Sequence, residues 1–442
     1  MIVRKRLILY IIAFVLLVIT AAIVIYTAQG YFFDFKTGKI KKQGIIVIRS
    51  IPKNANVYLD GKFKKNKTQY SIPLFPGAYE VKVENEKYST WTKRVNVESG
   101  VATMLDYVFL VLKNRTPEPV TTEGVKNLAI SAKNPYEVAF VDMKNNVWIV
   151  DTKSNKHKKL YQSEEKDKEV QIKDWSANGK NLLISTVQEE NLTTYKLLKE
   201  SESKTLTNLP KDIKKIQFAQ NSDTRFFFLA DSYLYVLDES GSQIVENNTK
   251  EFAQNQNFIF FVKKTAEGNE IWQSSLDFKT KDKLQEEQNN KIALFPSKNK
   301  RLVYTVGQDN ELFFLEKNSK QKINTGVLDV KWAKDDKKIT YRTPQEIYVY
   351  NFESDNPKEP KSIITTRLSK NIDEIAWFYD FKHVVFRTGK EINLIDYDGE
   401  NMTTLTDSSS GESFVTTKLG KYLIYTEEKD GAKNIKIMKL TE

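Results

Sequence analysis

Two histidines, His157 and His383, are the only imidazoles in 442 residues, and cysteine is absent. Imidazole is the side chain best matched to proton transfer near neutral pH, and imidazole or thiolate donors build most zinc sites. Their scarcity withdraws most general-base and zinc chemistry at once. Without thiols there is no disulfide, no cysteine-ligated metal and no thiol nucleophile. His157 stands in Asn155-Lys156-His157-Lys158-Lys159, a charged turn with no acid paired to it in sequence. His383 stands in Asp380-Phe381-Lys382-His383-Val384, read as a turn between strands. Both are expected to be ordinary surface residues. No Gly-x-Ser-x-Gly elbow precedes either, and no glycine-rich loop suited to phosphates occurs.

The carboxylates give one pattern to weigh. Asp396-Tyr397-Asp398-Gly399-Glu400 contains Asp-x-Asp-Gly, half of a calcium loop. The other acidic ligands are missing at the offsets such a loop needs, so the segment reads as a turn between the third and fourth strands of a repeat. Asp335-Asp336, Asp151 and Asp238 read as equivalent turns. Glycoside hydrolysis needs two facing carboxylates, and nothing singles out a pair. The expectation is a non-enzyme without cofactor, metal or catalytic residues, whose ligand-binding residues the sequence does not mark.

The elements that would carry any binding residues begin with an anchor. Arg4, Lys5 and Arg6 precede an unbroken apolar run from Leu7 to about Ala28, long enough for a bilayer core at 1.5 Å per residue. A cleaved signal peptide has a shorter apolar region ending in small residues, and Ala21-Ala22 or Ala28-Gln29-Gly30 can be read that way. The length favours a retained span over residues 1–30. Positive residues flank both ends, with Lys36, Lys39, Lys41 and Lys42 following. The first group touches the span and long following domains translocate regardless of charge, so the N-terminus is placed in the cytoplasm and the rest outside. No second spanning run occurs.

Residues 31–43 read as a polar spacer. From Gly44 the pattern becomes strands. Ile46 and Ile48 alternate with Val47 and Arg49, Asp60-Gly61 marks a hairpin, and Tyr79, Val81 and Val83 alternate with Glu80, Lys82 and Glu84. Ser50, Pro52, Ala55, Val57-Tyr58, Asp60-Gly61, Leu74, Pro76-Gly77, Tyr79, Tyr88 and Trp91 together make residues 44–112 resemble a PEGA domain, a small β-sandwich of bacterial and archaeal surface proteins. The chain departs from that pattern at Asn54, where the family has Gly, at Lys87, and at Thr68-Gln69, where Thr-Pro is usual. Asn tolerates a left-handed turn, so Asn54 disturbs the match little. The resemblance implies a surface or spacer module without catalytic residues. Tyr88 and Trp91 are read as core aromatics, with sugar stacking as the alternative.

Residues 113–123 form a proline-containing linker. After it, from 124 to 442, short apolar strands recur at a period of roughly 40 residues, the signature of a propeller or solenoid. Typical units are Ile216-Gln217-Phe218, Phe226-Phe227-Phe228-Leu229 and Leu234-Tyr235-Val236-Leu237, or Ile375-Ala376-Trp377, Val384-Val385-Phe386 and Ile392-Asn393-Leu394-Ile395. Runs of three or four apolar residues suit strands buried on both faces. Eight units are counted; a ring that shares strands between its ends closes with seven. Trp175-Ser176-Ala177-Asn178-Gly179-Lys180, and more weakly Trp332–Lys337, resemble the repeat of TolB-like and WD40-like β-propellers.

The expected fold is therefore all-β: a transmembrane helix, a PEGA-like sandwich and a propeller. Aromatic content of 12% and charged content of 28% fit a globular chain. The net charge of +11 reads as spread along the chain, apart from Lys39, Lys41 and Lys42 and then Lys62, Lys64, Lys65 and Lys67. Such an excess of lysine suits acidic partners. The expected function is a membrane-anchored scaffold whose propeller face binds a protein or an anionic envelope polymer, nucleic acid being disfavoured. A structural spacer and a propeller hydrolase or lyase are the alternatives.

Overall fold

Alternation of small apolar strands with polar turns decides the architecture, and the first element is the exception. The computed structural model describes the chain from Ile2 to Glu442 except Lys36, residues 189–191, Ser201, Lys300, 317–318, 354–361 and Glu412, and without the side chains of residues 2–7 and Leu9. The Arg4-Lys5-Arg6 side chains and Lys36, which enter the orientation argument, thus lie outside the described residues. Helix α1 spans Ile2–Ala28. Its stretch Tyr10–Ala28 has a mean hydropathy of 2.8 and is apolar all round. Thr20 and Thr27 return their hydroxyls to the carbonyls of Leu16 and Ile23, which leaves no free donor on the helix wall at those positions.

Cα packing divides the chain into two units, Met1–Asn114 with Thr441–Glu442, and Arg115–Leu440. In the first, the segment read as a spacer is a hairpin instead, β1 (Tyr31–Asp34) against β2 (Lys39–Lys42). Asp34 makes it fold: its carbonyl accepts from Thr37 and Gly38, and its carboxylate from the Thr37 hydroxyl and Lys41. The sandwich follows. One sheet joins β3 (Gly44–Ile51) to β6 (Tyr70–Leu74) and, in parallel, to β9 (Ala102–Phe109). The other has the order β5-β4-β7-β8, with β4 Asn56–Leu59, β5 Lys62–Lys64, β7 Gly77–Glu84 and β8 Trp91–Val97. Ile46, Ile48, Val57, Val81 and Val83 are fully buried between them. Asp60 and Gly61 turn β4 into β5 at φ of 48° and 73°, and Asn54 takes φ 63°, the left-handed values the turn residues allow. Trp91 and Tyr88 are buried, Trp91 edge-on to Tyr107 at 6.1 Å, so the sugar-stacking alternative gives way to core packing.

The second unit holds eight antiparallel four-stranded sheets among the described residues. The first comprises Val125–Ile130, Glu137–Asp142, Val147–Asp151 and Lys156–Tyr161. Six more follow in simple strand order through 169–205, 213–246, 249–287, 292–324, 329–367 and 374–406. The eighth takes three strands from the C-terminal end, Val415–Thr416, Tyr422–Lys429 and Ala432–Lys439, and its outermost from the segment expected to be a linker, β10 (Pro117–Pro119). The propeller therefore starts before residue 124. The second strand of each sheet is buried on both faces, as in Phe226–Ala230 and Leu302–Val306, whereas outer strands such as Lys156–Tyr161 and Glu202–Thr205 are wet. Apolar residues of each sheet interleave with those of the next, Phe227, Phe252, Ile259 and Phe261 forming one such layer. Because every sheet is an up-and-down meander, the turns after the first and third strands emerge on one side and the remaining turns on the other.

Candidate binding site

The tryptophan repeat is a joint. At the end of the innermost strand, Trp175 Nε1 donates to the carbonyl of Ala129 in the preceding sheet at 3.2 Å. Trp332 does the same to Phe295 at 2.8 Å, and Trp377 to Lys331 at 2.9 Å. Three residues on, Asn178, Asp335 and Asp380 each accept the backbone N–H of the lysine two positions later, at 2.8, 3.1 and 2.9 Å. The residue between is left-handed in all three: Gly179 at 72°, Asp336 at 57°, Phe381 at 54°. Trp, Asn/Asp and Lys at fixed spacing thus encode an inter-sheet pin followed by a side-chain-closed turn. Asp335-Asp336 belongs to this turn between first and second strands, and not to the later turn where Asp151, Asp238 and Asp396 lie.

His383, expected at the surface, is 1% exposed and opens the second strand of the seventh sheet. Nδ1 lies 2.7 Å from Asp380 Oδ2, and Nε2 lies 3.1 Å from Asp396 Oδ1. Burial alone would push the imidazole down, but the two carboxylates outweigh it and raise its pKa to about 9. His383 is therefore an imidazolium that ties the turn after the first strand to the turn after the third. The half calcium motif is consumed here, since Asp396 Oδ2 also accepts from Asn401 at 2.9 Å. Among the described residues no group of three or more His, Asp and Glu is placed to hold a metal ion.

Two inner-strand carboxylates are shifted upward by burial. Asp174 rises to about 6, although the N–H groups of Phe218 and Trp175 pull the other way at 2.9 Å each. Glu374 is also raised, with Arg387 opposing. Asp174 supplies an acceptor to the neighbouring sheet's backbone, the role Asn127 plays toward Ile172 at 2.8 Å.

A cleft of about 510 Å³ with an aromatic wall lies where the ring closes. Residues 119–124 form one wall; Phe140, Asp142, Trp148, Asn155 and His157 form the other. The wall is latched by the C-terminal strands: Thr121 Oγ1 accepts from Ile435 N–H at 2.9 Å, and Asn434 Oδ1 accepts from Gly124 N–H at 3.0 Å. Trp148 is half-buried, its indole N–H held by Asp142 at 2.8 Å and Lys159 lying 4.9 Å over its ring. Burial works to raise the Asp142 carboxyl, but hydrogen bonds from Asn146 and Trp148 prevail and hold it below its ordinary range. His157 is exposed on an outer strand, 3.1 Å from Asn155 and edge-on to Phe140. The arrangement offers a rigid aromatic shelf beside fixed polar groups, a binding geometry.

Charge is not spread as the composition suggested. Of 68 basic and 57 acidic residues, 18 and 7 fall before Arg115, a net of +11; the remaining 50 of each cancel. In the propeller many lysines meet acids, as Lys215 does Glu251, Lys320 does Glu287, and Lys263 and Lys281 do Glu246.

Comparison with known proteins agrees with this architecture. Residues 43–111 match the PEGA domain family. No curated protein matches the chain. Among solved structures, that titled a eukaryotic initiation factor superposes with a TM-score of 0.51 at 13% identity, over 79% of this chain and 91% of its own. The C-terminal WD40 domain of Sif2 superposes with a TM-score of 0.50 at 12% identity, over 73% and 97%. The chain thus carries a PEGA domain and a WD40-like β-propeller behind an N-terminal apolar helix.

Proposed function

We propose that this protein is a single-pass, membrane-anchored scaffold whose propeller stands outside the cytoplasm and binds a protein partner. The ring-closure cleft carries the reading: a fixed, half-buried Trp148 beside Phe140 and His157, in a unit whose charges cancel. Aromatic shelves of this kind anchor protein ligands, and a neutral unit lacks the field that gathers polyanions. The apolar helix and the PEGA domain, a module of extracellular proteins, support the placement. A binding protein needs no catalytic residues, which fits the engagement of Asp174, Asp396 and His383 in structural bonds. A second reading, an anionic envelope polymer, is favoured by the charge of the first unit and moves that ligand from the propeller to the PEGA side.

The test uses the full chain in membranes. Externally added thiol reagent labels Lys153→Cys in intact cells if the orientation is right. Wild type then retains a discrete envelope protein at low and high salt, Trp148→Ala loses it, and Ile244→Ser keeps it. Retention of polymer alone, abolished by salt and indifferent to Trp148, favours the second reading. Retention of nothing favours a spacer.

A further inference from the structure

The apolar helix does not run out into a free linker. Only Gln29 and Gly30 separate Ala28 from β1. Gln43 N–H donates to the Gly30 carbonyl at 2.8 Å, closing the hairpin on the helix end, and the Tyr26 and Tyr31 rings meet edge-on at 5.6 Å. The hairpin therefore begins where the helix stops.

Its register sorts the side chains. Phe33 stands opposite Ile40, and Tyr31 opposite Lys42, so these four share a face. Phe35, in the turn, packs edge-on against Phe33 at 5.0 Å. Yet Phe35 is 90% exposed, Ile40 64% and Phe33 50%. A two-stranded hairpin is marginal in water, and a contiguous aromatic patch on one marks a contact surface. On the other face Lys41 is taken by Asp34 at 2.9 Å; among the described residues Lys39 and Lys42 are the hairpin's other lysines and form the cationic rim. Aromatic rings, aliphatic tips and lysines in this order suit a lipid interface, where rings settle at headgroup depth and lysines meet anionic heads.

We propose that the hairpin Tyr31–Lys42 is a second membrane contact. Phe33, Phe35 and Ile40 enter the headgroup boundary of the leaflet that the helix has just crossed, and Lys39 and Lys42 bind anionic lipid. The proposal rests on the membrane-anchored reading above. It makes the helix and hairpin one footing, so the PEGA domain is held at the bilayer surface and cannot swing on a tether.

The chain has no cysteine, so single replacements carry one nitroxide label each without background. Phe35→Cys, Val18→Cys in the helix and Lys87→Cys on the sandwich are reconstituted as full chains in vesicles of zwitterionic lipid, with and without anionic lipid. Accessibility is read with oxygen and with a water-soluble nickel chelate. The label at 18 should favour oxygen, that at 87 nickel, and that at 35 should shift toward oxygen when anionic lipid is present and back in high salt. Adding Lys39→Gln and Lys42→Gln should undo the shift, and Ile40→Cys should report the same depth as position 35. Nickel access at 35 in both lipids, with 18 still deep, overturns the hairpin contact alone. Protection of 35 from both reagents means protein covers it, and also overturns the proposal. Equal depth in purely zwitterionic lipid overturns the headgroup assignment. Nickel access at 18 defeats the anchor reading and the hairpin with it.

Discussion

The sandwich unit and the propeller use the same strand chemistry and opposite charge economies. Before Arg115 basic residues outnumber acids by more than two to one; after it basic and acidic residues match, and many sit as cross-strand or inter-sheet pairs. The difference teaches where each unit gets specificity. A unit with a net field attracts polyanions and responds to salt; a balanced one relies on shape and desolvated aromatics. Whole-chain charge hides this, because it assigns to the propeller a property that belongs to the first 114 residues.

The contrast can be broken or sharpened by experiment. The largest effect should come from Phe261→Ala, which empties a fully buried site between the third and fourth sheets and should cost about 3–5 kcal/mol. Denaturant unfolding should show the loss in the propeller transition, with the sandwich transition unmoved; equal loss in both would mean the units are not independent. Next comes the pH dependence of the propeller. His383 is raised from an ordinary 6.5 to about 9, so its stabilisation is complete below pH 6.5 and disappears as pH rises through 9. The full effect is about 3 kcal/mol at most. Melting from pH 6 to 10 should show the decline in wild type and a flatter profile in His383→Gln.

Smaller, and aimed at charge itself, is the replacement of Lys62, Lys64, Lys65 and Lys67 by Gln. Affinity for long-chain polyphosphate at low salt should drop about a hundredfold, and the salt slope with it. The same change at Lys156, Lys158, Lys159 and Lys204 in the propeller should do little; the reverse ranking would dissolve the comparison. The smallest effect is expected from Trp175→Phe, which keeps the ring and loses the bond to Ala129, about 1 kcal/mol in propeller melting.

Much of the fold was legible because burial on both faces writes itself as short apolar runs. Phe226–Ala230 is the clearest instance, all five residues being buried. The PEGA-like turns were legible because Asp60-Gly61 and Asn54 need left-handed backbone, which few residues supply. What escaped depended on distant partners. The hairpin after the helix was missed because Phe32, Phe33 and Phe35 are exposed together and show no two-fold alternation. His383 was misread because its burial requires Asp396, on the far end of the neighbouring strand. Its place just after the Trp377–Lys382 turn was the available signal, since that position opens an interior strand. The cleft was beyond reach: Thr121 and Asn434, 313 positions apart, meet only when the ring closes. Likewise Lys215 and Glu251 neutralise each other across 36 positions, so local charge runs misjudge the propeller.

The strand Pro117–Pro119 has a mechanical meaning. It is the outermost of its sheet, where a residue without an N–H is tolerated, and its partner, Ala432–Lys439, lies more than 300 positions further along the chain. The ring thus stays unlatched until that distant segment has been made, and the partly emerged chain presents bare edges for that whole interval. In the finished molecule the chain entering the propeller at its N-terminal side meets Arg115 before it meets that strand. The guanidinium grips the carbonyls of Thr404 and Leu405 at 2.8 and 3.2 Å, just ahead of three paired residues. The clasp that completes the ring is therefore also the point at which the chain enters it.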